Sequence, residues 1–302
     1  MDFTLSDEQA AVQETARAVF TGRGSWRDLA TANLLGIALP DDVGGSGLGM
    51  VELALILEEQ GRVVAPLPVW PTLVAALAVD RFDIDRATWL PRVIAGDAVL
   101  SIVDGAAPVP YAVQADALLV GRSLVAPGPV EVVETTDGQP AGLVAHAAEL
   151  DPWVRDRVLV ALCALQAGVC EAALRQTAAY VSEREQFGRP IATFQAVAQR
   201  AADAYIDVQA MRVTMLAAAW QLDNGGDNGG DDGSAAADVR VAKWWAAEGG
   251  HRVIHACQHL HGGIGSDLDY PIHRYFLWGK QLVVMLGAGS EQLAALANLV
   301  AV

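Results

Sequence analysis

His251, His255 and His259 follow one another at four-residue steps, the spacing that sets imidazoles along one helix face where they could hold a divalent metal. The residue after each is Arg252, Ala256 or Leu260, where a metal-dependent hydrolase needs a glutamate, so no metal is expected and packing or a phosphate contact is the better use of these histidines and of His261. Glu248 is a carboxylate in the same helical pattern. It can serve as a general base, or pair with Arg252 four residues on. Gly249 and Gly250 follow it inside the helix at a cost of roughly 1 kcal/mol each against Ala, which fits a place where a bulky ligand or another backbone comes close. Gly44-Gly45-Ser46-Gly47 has the glycines of a phosphate cradle but neither the Walker lysine nor a strand-Gly-x-Gly-x-x-Gly context, and reads as a turn. The run D-N-G-G-D-N-G-G-D-D-G-S, Asp223 to Ser234, has acids for calcium but no closing bidentate Glu, and reads as a flexible helix-to-helix linker. Finally, S-E-R-E-Q-F-G-R-P-I-A-T-F-Q, Ser182 to Gln195, places Arg184 beside a Gly-Pro break. By spacing alone it is a helix C-terminus stopped by Gly188 and Pro190, with the next helix entered through Ile191 to Gln195.

The elements that must position these groups are mostly helical. To about Ile94 the chain reads as helices, with Leu53, Leu55, Ile56 and Leu57 in an apolar one after the glycine turn. From Ala98 to about Leu150 short β-branched runs take over, Val99 to Val103, Ala117 to Val120 and Val130 to Val133, punctuated by proline and glycine. After Asp151 the helical period returns. Val158, Leu162, Leu165, Val169, Ala173 and Tyr180 form one core-facing stripe, Tyr205, Val208, Met211 and Met215 a second, and Val239, Ala242, Ala246, Val253, Cys257 and Leu260 a third. The expected organisation is a helical domain over 1–97, a short β segment over 98–150 and a helical bundle over 151–302.

With 302 residues, 53% of them hydrophobic, the chain can bury a large core, and a net charge of -16 argues against nucleic-acid or anionic-membrane surfaces. Acids stand at the amino-terminus where a secretory signal has bases, so no export and no membrane are expected, and the cytoplasm is the expected compartment. Cys163, Cys170 and Cys257 lie in apolar helical patterns without metal spacing and read as buried reduced thiols.

Arg184, Glu185, Gln186, Phe187, Gly188, Arg189 and Pro190, followed by Phe194-Gln195, resemble the flavin-binding signature of the acyl-CoA dehydrogenases. The resemblance extends to the Leu-Pro-x-x-x-Gly-Gly-x-Gly turn, to an E-E-x-G-R helix ending at Glu58, Glu59, Gly61 and Arg62, and to the His-Gly-Gly turn at His261, Gly262 and Gly263. It implies a mainly α fold with a small β insert: an amino-terminal helical domain, a shortened β segment and a carboxy-terminal four-helix bundle that makes the dimer interface and contacts FAD. It further implies α,β-dehydrogenation of an acyl-CoA thioester, with electrons passed to an electron-transferring flavoprotein. Arg184, Phe187, Gln195, His259, Gly262 and Gly263 are the implied cofactor contacts; Arg184 suits a pyrophosphate because it is permanently charged and donates a fork of hydrogen bonds.

The departures from the family pattern are informative. The Thr-Glu-Pro…Gly-Ser motif of the family's β domain is replaced by S-I-V-D-G-A-A-P, and Leu286-Gly287 stand where the usual Tyr-Glu base would be. A minority of the family is expected to carry its base earlier, at the position of Glu248. His259 replaces the family's Gln before the glycine turn; Gln258, one residue early, is rotated about 100° away. In the family, the groups retained here act across a dimer interface on the partner's flavin, and those lost act within one subunit. The chain therefore resembles the truncated subunits of actinobacterial α2β2 enzymes acting on steroid side chains or other bulky acyl groups, whose implied partner is a longer homologous subunit. The alternatives are a non-catalytic subunit that completes that partner's FAD site, and an acyl-CoA-binding helical module without redox activity.

Overall fold

The computed structural model describes residues 3–225 and 234–300. The acidic stretch read as a linker or calcium loop therefore lies, from residue 226 to 233, outside the described residues. The chain forms two compact units, one of residues 1–59 and 65–161 and one of residues 60–64 and 162–302.

The first unit begins with α1 (Asp7–Thr21), whose start is a reciprocal cap: Gln9 N donates to Ser6 Oγ and Ser6 N to Gln9 Oε1, each at 3.1 Å. After α2 (Trp26–Thr31) the glycine turn is closed upon itself. The amides of Gly45, Ser46 and Gly47 donate to Pro40 O, Gly36 O and Leu39 O, so none points at a phosphate. Gly44 and Gly47 have φ of 88° and 64°, and a Cβ on Gly45 would overlap the Leu39 carbonyl. The turn leads into α3 (Met50–Val63), where Leu53, Leu55, Ile56 and Leu57 are all buried. Glu58 and Glu59 are buried too, and accept hydrogen bonds from Gln13 and Arg17 of α1.

α4 (Val69–Arg81) and α5 (Arg86–Ile94) follow, and Thr72 Oγ1 of α4 donates to Leu100 O of the first strand at 2.9 Å. The β segment holds β1 (Leu100–Ile102), β2 (Val109–Pro110), β3 (Ala117–Val120), β4 (Ser123–Val125), β5 (Glu131–Val133) and β6 (Ala141–Leu143). They make two three-stranded sheets, β1-β3-β4 with β1 and β3 parallel, and the antiparallel β2-β6-β5. The three β-branched runs became β1, β3 and β5. The remaining strands β2, β4 and β6, two or three residues long, lie outside those runs.

The second unit consists of α6 (Pro152–Glu183) from Leu162 onward, a hairpin of β7 (Glu185–Gln186) and β8 (Arg189–Pro190), then α7 (Gln195–Asn224), α8 (Ser234–His261), α9 (Ile272–Val284) and α10 (Gly289–Val300). The last turn of α3 belongs to it. A Cβ on Gly61 would overlap Leu165 O, and Arg62 pairs with Glu171 at 3.0 Å, which accounts for the glycine and arginine that end this helix. Small residues let the helices approach, and Ala167, Cys170, Ala173, Ala204, Val208, Met211, Val253 and Cys257 share one core. The stripes are buried as their periodicity requires, with two departures: Tyr180, at the end of the first, is only partly buried, and Tyr205 is 58% exposed, because Ala204 takes the core position one turn before Val208. The three cysteines are buried and free. α6 is long and apolar enough to cross a membrane, but 89% of its most apolar window is buried in the protein; the apolar stretch from Ile272 to Leu299 is divided between α9 and α10.

Candidate cofactor surface

The signature Arg184 to Pro190 is a hairpin, not the capped helix end its spacing suggested. α6 closes with Arg184 N donating to Tyr180 O at 2.8 Å, after which Glu185 pairs with Pro190 and Gln186 with Arg189. The turn residues Phe187 and Gly188 have φ of 54° and 78°, the left-handed pair that a two-residue hairpin loop needs, and Pro190 ends an edge strand where no amide is required. Gly188 is there for its backbone freedom. Phe187 has no such freedom: it is held left-handed, and it is 93% exposed at the tip. A strained, exposed aromatic is the kind of feature that collects at binding sites. Behind it, Phe194 receives the Phe187 ring edge-on at 6.1 Å and the Arg189 guanidinium at 4.3 Å, and Gln195 opens α7, exposed. Arg184 is exposed, and its guanidinium has no ion-pair partner among the described residues.

The glycine turn is open in the same way. α8 ends at His261, Gly262 leaves it with φ of 65°, and, their chain neighbours apart, no described residue lies within 4 Å of where a Cβ on Gly262 or Gly263 would stand. The two segments are joined by side chains. The His261 ring stacks on Tyr180 with centroids 4.4 Å apart, its Nε2 lies 3.2 Å from Thr177 Oγ1, and Tyr270 meets both rings edge-on. Tyr180 precedes Arg184 by one helical turn, so this cluster ties the root of the hairpin to the start of the glycine turn. Sequence reasoning read Tyr180 only as core and did not single out Thr177 or Tyr270. His259 is exposed, and Gln258 is turned aside, donating to Ser266 Oγ at 3.1 Å.

Glu248 stands apart, thirteen residues before His261 on α8 and so about 20 Å along its axis. The expected pairing with Arg252 is not what the structure holds. Arg252 makes a two-pronged contact with Asp207, at 2.9 and 2.6 Å, because a carboxylate on the facing α7 suits its planar fork better than one four residues back. Glu248 instead lies against the first residue of α10, where a Cβ on Gly289 would overlap its Oε1. Gly250 likewise makes room for a side chain, that of Gln166 from α6, and not for a ligand.

The corner between α9 and α10 is pinned throughout. Gln292 Nε2 donates to Leu286 O and Gly287 O, Glu291 accepts from Ala288 N at 3.0 Å, and the buried Lys243 Nζ donates to Leu282 O at 2.7 Å and to Val283 O at 3.4 Å. Burial lowers the Lys243 pKa to about 8. His251 and His255 line a groove of about 600 Å³ between α7 and α8, with Arg200, Asp203, Asp207 and Arg252. The His251 and His255 rings are 4.3 Å apart, and burial, then the neighbouring His251 and Lys280, lower the His255 pKa. Among the described residues no group of three His, Cys, Asp or Glu could hold a metal ion.

Residues 5–97 match the acyl-CoA dehydrogenase N-terminal domain and residues 156–300 the acyl-CoA dehydrogenase C-terminal domain. Acyl-CoA dehydrogenase FadE27 of Mycobacterium tuberculosis is 35% identical over 90% of this chain and 86% of that protein. The ChsE4-ChsE5 complex from Mycobacterium tuberculosis contains a chain 32% identical to this one, with a TM-score of 0.90 over 100% of this chain and 99% of that one. A variant of the Tcur3481-Tcur3483 steroid ACAD contains a chain 41% identical, with a TM-score of 0.88 over 99% of each.

Proposed function

This chain belongs to the acyl-CoA dehydrogenase family, and we propose that it works as the shorter subunit of a heteromer, completing a flavin site whose other wall belongs to a longer homologous subunit. The observation that carries the reading is the exposed pair of segments held together by Tyr180 and His261. They offer a free guanidinium at Arg184, a protruding ring at Phe187 and unobstructed backbone at Gly262 and Gly263. These groups fit a dinucleotide: a fork of donors for its pyrophosphate, an aromatic surface for its rings, and glycines that a cofactor can approach closely. Yet they form one open face, which by itself cannot exclude water from a reacting centre. That supports a cofactor shared with another subunit. The kinship to chains of two heteromeric complexes supports it further.

Arg184, Phe187, Gln195, His259, Gly262 and Gly263 would hold FAD, which when bound takes a hydride from the β-carbon of an acyl-CoA thioester and passes its electrons to an electron-transferring flavoprotein. The steroid association of the Tcur3481-Tcur3483 relative supports a bulky, steroid-type acyl group as substrate. This chain's part is to position the cofactor and close the site. The α-proton needs a carboxylate base. Glu248 is the candidate if this chain supplies one, but its place against Gly289 favours an anchoring role, and Gly287 has no acid to offer. The base then comes from the longer subunit.

Co-expression with a homologous longer subunit tests the reading. The expected product is a yellow assembly of unlike chains by flavin absorbance and native mass, whose turnover survives Glu248→Gln. A partner that binds FAD and turns over fully without this chain would overturn it.

A further inference from the structure

We propose that His261 is a positioning residue for this surface, a neutral plate that locks the hairpin and the glycine turn into a single arrangement. Its purpose rests on the flavin reading above; its geometry does not. The Thr177 hydroxyl has one hydrogen, and that is donated to Ala173 O at 2.7 Å. Toward His261, at 3.2 Å, Thr177 Oγ1 can therefore only accept, so the ring hydrogen sits on Nε2 and the lone pair on Nδ1. Nδ1 is buried and has no partner among the described residues. A buried acceptor left unmatched is costly, and a leucine or phenylalanine here would avoid the cost while filling the space. What such a residue could not do is accept an orientation from Thr177.

That orientation is what connects the segments. With His261 Nε2 fixed on Thr177, the ring lies nearly parallel to Tyr180, 24° between planes, and meets Tyr270 at 61°. Tyr180 O holds the last helical bond before the hairpin, from Arg184 N, and His261 is the last residue of α8 before Gly262 turns away. Movement of either segment has to carry the ring with it. The facing groups, Thr177, Tyr180 and Tyr270, bring no charge, and burial lowers the His261 pKa, so the plate stays neutral.

The test uses the full chain, alone and assembled with the longer subunit, in three variants. His261→Phe keeps the ring and drops the bond, His261→Ala removes both, and Met215→Ala is a control in the same unit, buried in α7 away from the surface. Amide exchange of residues 184–191 in the lone chain reads the coupling without any flavin. FAD fluorescence titration of the assembly reads its consequence. His261→Ala is expected to speed hairpin exchange and weaken FAD binding by about tenfold each, with His261→Phe between it and wild type, while Met215→Ala lowers Tm and leaves both unchanged. Exchange and affinity in the His261 variants no different from those in Met215→Ala would overturn the proposal. Should the wild-type assembly bind no FAD, the flavin reading falls, and hairpin exchange alone decides whether His261 couples the segments.

Discussion

The hairpin at Glu185 to Pro190 and the corner between α9 and α10 both join helices of the same unit, and each has a non-glycine residue in the left-handed region, Phe187 at one and Leu286 at the other. They are finished in opposite ways. At the corner, Lys243, Glu291 and Gln292 satisfy backbone groups from Leu282 to Ala288, and Glu248 fills the space at Gly289. At the hairpin, Arg184, Phe187 and Gln195 all face outward. A turn completed by its own chain has little left to offer a ligand. One left open, with strain at its tip, fits the cofactor contact proposed for it. By its motif the corner stands where the family's usual base would be, so under the proposed reading the contrast sets a place without a base against one that offers cofactor contacts.

Breaking the corner should have the largest effect. Lys243→Ala leaves two α9 carbonyls without their donor and opens a cavity, and a loss of about 3 kcal/mol is expected in denaturant titration. The same lysine gives a pH signature. Its folded pKa of about 8 lies below its ordinary 10.5, so between those values the unfolded chain binds more protons and stability rises with pH. The buried thiols of Cys163, Cys170 and Cys257, whose pKa values burial raises, pull stability down over the same range in both proteins, so in thermal melts from pH 8 to 10 it is the gap between wild type and Lys243→Ala that should widen. Next in size is the hairpin's charge: Arg184→Ala in the assembled protein should leave Tm unchanged and weaken FAD binding by about 2 kcal/mol, measured by flavin fluorescence. An equal drop in Tm would mean that the arginine supports the fold instead.

Smaller effects sharpen the contrast. Phe187→Asn relieves backbone strain, since asparagine tolerates the left-handed region, and should hold or slightly raise the melting temperature of the lone chain while loosening the assembly. A lower Tm would show that Phe187 serves its own chain. Glu248→Gln removes a charge beside the start of α10 and should cost no more than about 1 kcal/mol of stability. Turnover of the assembly should stay within about twofold of wild type, and its abolition would return Glu248 to the role of base.

Much of the fold could be read from periodicity, because a buried helix face has to recur every three or four residues whatever it packs against: the stripes through Leu162, Met211 and Cys257 point inward as spacing alone required. Tyr205 escaped because two neighbouring positions could each continue the stripe, and only the facing helix chose Ala204. The glycine turn was legible because it lacks a lysine and a strand. The hairpin was not, since Gly and Pro after a helix serve a cap as well as a two-residue loop.

Sequence by itself determined the family and the helical frame, because these depend on local propensity and on motifs that lie contiguous in the chain. Tertiary structure alone decided the partners of the charged and polar groups: Asp207 rather than Glu248 for Arg252, Gly289 for Glu248, the α9 carbonyls for Lys243, and Tyr180 with Thr177 for His261. Those choices join residues 39 to 84 positions apart in the chain and run between helices whose rotation sets which side chains meet, and no pattern along a single stretch of sequence encodes that rotation.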